Sequence, residues 1–159
     1  MDTRRQLNVL DIVEGTSVDG PGLRTSVYVA GCRHNCPGCH NPQSWSMDGG
    51  RPMTIAQILT VIEDNDFDVT ITGGDPLYHP EEIYILTRLI KERMGKNIWL
   101  YTGFTLEEIL KDEQLKFALR YVDTIVEGRF IQELADKNLR FRGSSNQQII
   151  NIDNNFIYT

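Results

Sequence analysis

The stretch Thr25-Ser26-Val27-Tyr28-Val29-Ala30-Gly31-Cys32-Arg33-His34-Asn35-Cys36-Pro37-Gly38-Cys39-His40-Asn41 joins two unlike halves. Thr25 to Ala30 is short and rich in β-branched and aromatic residues, the composition of a buried strand. The second half follows the strand's C-terminal end directly and holds all three cysteines of the chain, spaced Cys-x3-Cys-x2-Cys. Gly38 is free to take a positive φ and Pro37 fixes its own, so the segment suits a tight loop. A strand that hands its end loop to chemistry is the working unit of parallel α/β folds.

The unit recurs along the chain. Asp68 to Thr72 is a second strand, ending in Gly73-Gly74-Asp75-Pro76. Asn97 to Tyr101 is a third, ending in Thr102-Gly103, and Val122 to Val126 a fourth, ending in Glu127-Gly128-Arg129. Helices with legible ends lie between them. Thr54 and Gln57 form a capping box, after which Ile55, Ile58, Leu59 and Ile62 share one face. Pro80, Glu81 and Glu82 open the next helix and Gly95 closes it, with Lys91 and Arg93 near its negative end and Ile83, Leu86 and Ile90 turned inward. Thr105 with Glu108 caps another, carrying Leu106, Ile109 and Leu110 inward. Elsewhere, Leu7 to Val13 reads as a strand or extended lead-in, Gly15 to Arg24 as loop, Gly49 to Pro52 as a break, and Gln148 to Ile152 as a last β-like run.

Strands alternating with helices predict parallel strands joined by right-handed crossovers. A closed eight-unit barrel takes about 250 residues. With 159 residues the expectation is a single domain over residues 1–159, an α/β open partial (β/α) barrel with mostly parallel strands. Loops at the C-terminal ends of such strands share one face. The cysteine loop, Gly-Gly-Asp-Pro, Thr-Gly and Glu-Gly-Arg therefore converge.

A net charge of −6 argues against a nucleic-acid or anionic-membrane partner. No apolar run is long enough to cross a bilayer, and Met1 to Gln6 has no apolar run behind its two arginines, unlike a secretory leader. Three cysteines, an odd number, make no disulfide framework, and the expected compartment is the cytoplasm.

Taken by itself, the cysteine loop has four readings. It is a zinc site completed by His34 or His40, a Cys36–Cys39 redox dithiol, a [4Fe-4S] cluster with one iron left open, or a set of small buried apolar side chains. Asp75 accepts a hydrogen bond from a cationic amine, or simply belongs to a turn. Arg129 grips a carboxylate bidentately, or lies on the surface. Thr102 is a ligand contact or the end of a strand. Asp19 and Arg24 brace the cysteine loop or touch substrate, or they serve a turn and a surface pair.

The Cys-x3-Cys-x2-Cys spacing resembles the signature of the radical S-adenosylmethionine family. The runs Asp19 to Arg24 and Gly31 to Asn41 are similar to the activating enzymes of glycyl-radical proteins. Gly73 to Pro76, Trp99 to Phe104 and Arg142 to Gln147 resemble the branch that serves anaerobic ribonucleoside-triphosphate reductase, and the likeness runs from about Leu10 to Ile150. The resemblance implies that Cys32, Cys36 and Cys39 hold a [4Fe-4S] cluster, whose open iron takes the amino and carboxylate groups of S-adenosylmethionine. Gly73, Gly74, Asp75 and Pro76 would contact that amino group, and Gly38, Cys39 and His40 would face the adenine. Thr102 and Arg129 would complete the cofactor site. The family usually carries Glu where this chain has Asp75, and an aromatic residue where it has Gly38.

On that resemblance no side chain acts as general acid or base, because the cluster and cofactor carry the chemistry. Reductive cleavage would give a 5′-deoxyadenosyl radical, which takes a hydrogen atom from a glycine of a large glycyl-radical subunit. An electron donor protein would feed the cluster, and Arg142 to Gln147 is the expected docking segment. The alternatives are an activase of the formate-lyase type and a non-catalytic zinc-stapled interaction module.

Overall fold

The computed structural model describes residues 2–39 and 42–152, so the expectation for His40 lies outside the described residues, as do residues 153–159. Its strands are β1 (Gln6–Thr16), β2 (Arg24–Val29), β3 (Arg51–Thr54), β4 (Asp68–Gly73), β5 (Ile98–Tyr101), β6 (Thr124–Glu127) and β7 (Gln148–Asn151). They form one sheet of seven strands in the order β3-β1-β2-β4-β5-β6-β7. β2, β4, β5 and β6 are neighbours and parallel. β1 pairs antiparallel with β2 and with β3, and β7 pairs antiparallel with β6. Five of the seven strands thus share a direction, and β1 and β7 oppose it.

The helices are α1 (Ile55–Glu63), α2 (Pro80–Met94), α3 (Leu106–Leu110) and α4 (Glu113–Ala118). The expected caps are present. Thr54 and Gln57 exchange both bonds of a capping box, as do Thr105 and Glu108, although of the α3 side chains expected inward Ile109 is buried and Leu110 is exposed, because α3 is only 5 residues long. Gly95 closes α2 at φ 63°, its N–H reaching the Ile90 and Lys91 carbonyls.

Two elements depart from the sequence reading. The expected break at Gly49 to Pro52 is followed at once by β3, an edge strand paired with β1, where Pro52 is tolerated because an edge leaves its missing N–H uncalled for. After α3 a further short helix, α4, starts from Asp112, whose carboxylate accepts from the Gln114 and Leu115 N–H groups. The first crossover, between β2 and β4, therefore carries the cysteine loop, β3 and α1 together.

Period-two alternation sorts the strands into two faces. Val27, Val29, Val69, Ile71, Ile98, Leu100 and Ile125 join one apolar core with Ile58, Ile62, Ile83, Leu86 and Ile90 of the helices. The residues between them, Ser26, Tyr28, Thr70, Thr72, Trp99 and Tyr101, take the other face. That face is met by loops instead of helices. The Thr70 hydroxyl donates to the Asp19 carbonyl at 2.9 Å, and the Phe141 ring meets Trp99 edge-on at 5.4 Å.

Arg24 opens β2 at the end opposite the cysteines, level with Asp68 of β4, and is 1% exposed. It donates to Thr70 Oγ1 (2.8 Å), the Val69 carbonyl (2.9 Å), Asn97 Oδ1 (2.7 Å) and the Pro21 carbonyl (3.0 Å). These acceptors are all neutral, and burial lowers its pKa. Arg24 therefore braces the start of the strands and not the cysteine loop.

Candidate functional site

The end of β2 is held by backbone bonds on both sides. Gly31 N–H donates to the Ser44 carbonyl at 2.7 Å and Cys32 N–H to the Trp45 carbonyl at 3.1 Å. The Gly31 carbonyl in turn accepts the Asp75 N–H at 2.7 Å. Cys39 N–H closes a turn onto the Cys36 carbonyl at 3.1 Å. Cys32, Cys36 and Cys39 are each of intermediate exposure. Burial pushes the Cys32 thiol up to about 11, against a backbone hydrogen bond from His34 that lowers it, and the neighbouring Asp75, Cys36 and Cys39 act in the same direction as burial. A bound metal reverses that balance, since a coordinating thiol is deprotonated. Among the described residues no three histidine, cysteine, aspartate or glutamate side chains converge on a single-ion site.

The double glycine is where β4 passes against this loop. Gly73 has φ 113°, and a Cβ there would run into the Val29 backbone. A Cβ on Gly74 would lie 2.5 Å from the Gly31 carbonyl oxygen. Close backbone approach is the reason both positions lack a side chain.

Asp75 is 0% exposed, and its carboxylate has four partners. Oδ1 accepts the Leu77 N–H at 3.0 Å, capping the 3-10 turn Pro76–Tyr78. Oδ2 accepts the Thr102 hydroxyl (3.0 Å) and the Gly103 N–H (2.8 Å), and lies 2.6 Å from His34 Nε2. The His34 side chain is 4% exposed, with the Phe104 and Tyr78 rings 4.8 and 5.2 Å from its own. A Cβ on Gly103 would come within 2.5 Å of His34 Cδ2. One carboxylate thus joins the cysteine loop, the double-glycine loop and the Thr-Gly loop. His34 was legible in the sequence only as a zinc ligand, since nothing local pairs it with Asp75.

The other expected residues divide. Thr102 is spent inside the protein, its hydroxyl donating to Asp75 and accepting the Phe104 N–H at 3.1 Å. Arg129 does grip a carboxylate bidentately, but it is Glu108 of this chain, at 2.8 and 3.0 Å. That pair, with the Thr105 N–H next in effect, holds the Glu108 carboxyl down to about 2. Gly38 has φ 75° and faces Gln132, whose Cδ would be 2.8 Å from a Cβ there.

A cavity of about 530 Å³ opens on the loop-covered face of the sheet and reaches both Cys39 and Gly73. Tyr28, Thr72 and Tyr101 of the strands form one side of it, and Phe130, Phe141 and Arg142 of the segment between β6 and β7 form the other. Tyr28 donates its hydroxyl to Asp19, and burial raises the pKa of both Tyr28 and Tyr101 above the ordinary phenol range.

A protein family described as a 4Fe-4S single cluster domain matches residues 18–150. The anaerobic ribonucleoside-triphosphate reductase-activating protein of Escherichia coli is 39% identical over 142 residues, which cover 83% of this chain and 90% of that protein. The chain belongs to the family of anaerobic ribonucleoside-triphosphate reductase-activating proteins. The family member of Haemophilus influenzae is 37% identical over 153 residues, covering 90% of this chain and 97% of its own length. Among solved structures, QueE from Escherichia coli shares the fold with a TM-score of 0.53 at 19% identity, over 63% of this chain and 54% of that one. No helix among the described residues is long and apolar enough to cross a membrane.

Proposed function

We propose that this chain is a radical S-adenosylmethionine activase that generates the glycyl radical of anaerobic ribonucleoside-triphosphate reductase. The observation that carries the reading is a loop bearing all three cysteines at the end of a parallel strand, beside a cavity that reaches both that loop and the double glycine. The residues fit a [4Fe-4S] cluster and S-adenosylmethionine. Three thiols on one loop form an all-sulfur donor set suited to iron–sulfur chemistry. Cys32, Cys36 and Cys39 would hold the cluster. Gly73, Gly74, Pro76 and Gly38 would offer backbone to the cofactor. When bound, the two groups supply one-electron reductive cleavage of the sulfonium C5′–S bond and a 5′-deoxyadenosyl radical that removes a glycine Cα hydrogen.

The protein's own part is positioning. Asp75 fixes three loops relative to one another through His34, Thr102 and Gly103. In this reading Asp75 and Thr102 act from behind the cofactor, and Arg129 orders the loop after β6 through Glu108. Neutral Tyr28 and Tyr101 line the cavity without offering a proton acceptor at ordinary pH.

The finer architecture follows the same reading: an open partial (β/α) barrel, one domain over residues 1–159, curled about this cavity. It is supported by the contributions of β2, β4 and β5 to one wall. An electron donor protein of the cytoplasm would supply the electron.

The test is anaerobic reconstitution with iron and sulfide, then reductant, S-adenosylmethionine and the reductase. The expected products are 5′-deoxyadenosine, methionine and a glycyl radical seen by electron paramagnetic resonance. Iron and sulfide bound in full with no 5′-deoxyadenosine formed would sink the reading.

A further inference from the structure

The segment between β6 and β7, residues 128–147, presents two faces that the cofactor chemistry does not use. Its inner face enters the cavity. Arg142 lies there, with its Nη1 donating to the Gln147 carbonyl at 2.9 Å, while its Nε is buried and has no hydrogen-bond partner. The guanidinium is fixed in place, because Gln147 is itself locked. Its side-chain oxygen accepts the Gly143 and Ser144 N–H groups at 2.8 and 3.1 Å, and its amide donates to the Gly128 carbonyl at 2.9 Å. A buried donor held still without an acceptor is a cost that a bound acceptor would relieve. Phe141, next to it, is held at φ 65°, a value few non-glycine residues adopt and one that clusters at ligand clamps.

The outer face lies at the rim. Ile131 and Leu134 are 39% and 42% exposed, on either side of Gln132, which packs on Gly38 of the cysteine loop. Two apolar side chains are therefore left in water next to the loop that would carry the cluster.

We propose that residues 128–147 are the receptor for the glycine-bearing polypeptide segment of the reductase. Ile131 and Leu134 take apolar side chains of that segment at the rim, and Arg142 Nε donates to one of its backbone carbonyls inside the cavity. The proposal rests on the activase reading and adds the substrate's recognition elements to it. A glycine has no side chain to be read, so its placement depends on its backbone and its neighbours. A single fixed N–H donor suits a peptide carbonyl, and the exposed pair suits flanking apolar residues. A nucleoside bound in the cavity would leave the rim uncovered. An exposed aromatic residue elsewhere, Phe117 stacked on Tyr84 at 4.4 Å, belongs with α4 and α2 to the helix-covered face and is remote from this chemistry.

The experiment uses the full reconstituted chain and the intact reductase under anaerobic conditions, with binding and radical formation measured separately. The double substitution Ile131→Ser, Leu134→Ser is expected to weaken reductase binding at least tenfold with an unchanged thermal midpoint. Phe117→Ser is expected to leave binding as it was. Arg142→Gln is expected to lower the number of glycyl radicals formed per 5′-deoxyadenosine at least fivefold, and Arg142→Lys, which lacks an N–H at that point, is expected not to restore it. Normal binding by the double variant, or weakened binding by Phe117→Ser instead, would overturn the proposal. So would an Arg142→Gln variant that loses affinity for S-adenosylmethionine while radicals per cleavage stay normal, because Arg142 would then serve the nucleoside. Failure of the activase reading shows elsewhere, as a wild-type protein that forms no glycyl radical, and the binding titration still reads the receptor surface in that case.

Discussion

Asp75 and Arg24 are both withdrawn from water, at 0% and 1% exposure, yet they stand at opposite ends of the parallel strands and hold different things. Arg24 binds mainly the start of the strands, Val69 and Thr70 of β4 and Asn97 just before β5, with one bond to the Pro21 carbonyl ahead of its own strand. Asp75 binds loops, through His34 after β2 and through Thr102 and Gly103 after β5. At one end a buried charge fastens the scaffold. At the other a buried charge fastens the segments that would carry a cofactor. The same parallel arrangement gives both ends their neighbours, but only the end with long loops has freedom to spare, and so only there does a single carboxylate decide where three segments lie.

The largest expected effect separates the chemistry from both charges. Cys36→Ala should leave the sheet and its core intact, because Cys36 is only partly buried and lies outside the apolar core. It should abolish cluster retention and with it all 5′-deoxyadenosine formation. Iron and sulfide analysis alongside thermal denaturation checks both halves. A variant that unfolds would show that the cysteine loop supports the scaffold, and the contrast between the two ends would be lost.

The two charges are then expected to fail differently. Arg24→Met leaves the buried Thr70 hydroxyl and Val69 carbonyl oxygen without their donor, and the part-buried Asn97 side-chain oxygen as well. At roughly 1–3 kcal/mol for each unsatisfied group, a loss of about 3–5 kcal/mol is expected by denaturant titration. The fraction that stays folded should keep a normal turnover. Asp75→Asn is nearly isosteric, but its amide must point an NH2 either at the Leu77 N–H or at the three donors on the other side. A smaller loss of about 1–3 kcal/mol is expected, with turnover falling at least tenfold. If the Arg24 variant loses turnover and the Asp75 variant keeps it, the assignment of the two ends is reversed.

Most of the scaffold was legible in the sequence because its signals are local. The Thr54–Gln57 and Thr105–Glu108 boxes, Gly95 after α2, and the β-rich runs before each special loop all act within one turn or one strand. Where two local rules conflict, the reading failed. Arg51–Thr54 follows a glycine pair and contains a proline, so it looks like a break, and only its pairing with β1 makes it a strand. The convergence of the loops was also legible, since it follows from strand direction alone. The partners of Asp75 were not. His34, Thr102 and Gly103 stand 41, 27 and 28 residues away. No spacing rule links residues that meet only because strands β2, β4 and β5 lie side by side. Arg24 was misplaced for a related reason: sequence neighbours of a cysteine loop are not its spatial neighbours when a strand of 6 residues intervenes.

The smallest expected effect concerns a third charge, at the same end as Asp75 but in water. The Glu108 and Arg129 side chains are each 40% exposed and are joined by two parallel hydrogen bonds. The pair holds Glu108 down to about 2, below its ordinary range. A depressed carboxylate contributes stability above its unfolded pKa, near about 4.3, and the contribution fades as pH falls from there through the folded value. Solvent screens a pair this exposed, so less than about 1 kcal/mol is expected at neutral pH, and less again at high salt. Glu108→Gln is the informative variant. Its side-chain oxygen can still accept the Thr105 N–H that completes the helix cap, so only the charge pair is removed. The stability difference from the parent should be small at pH 7 and vanish near pH 2. If instead Glu108→Gln leaves stability alone but changes the affinity for S-adenosylmethionine, then Arg129 leaves Glu108 when the cofactor binds, and the exposed charge at this end belongs with the site and not with the scaffold.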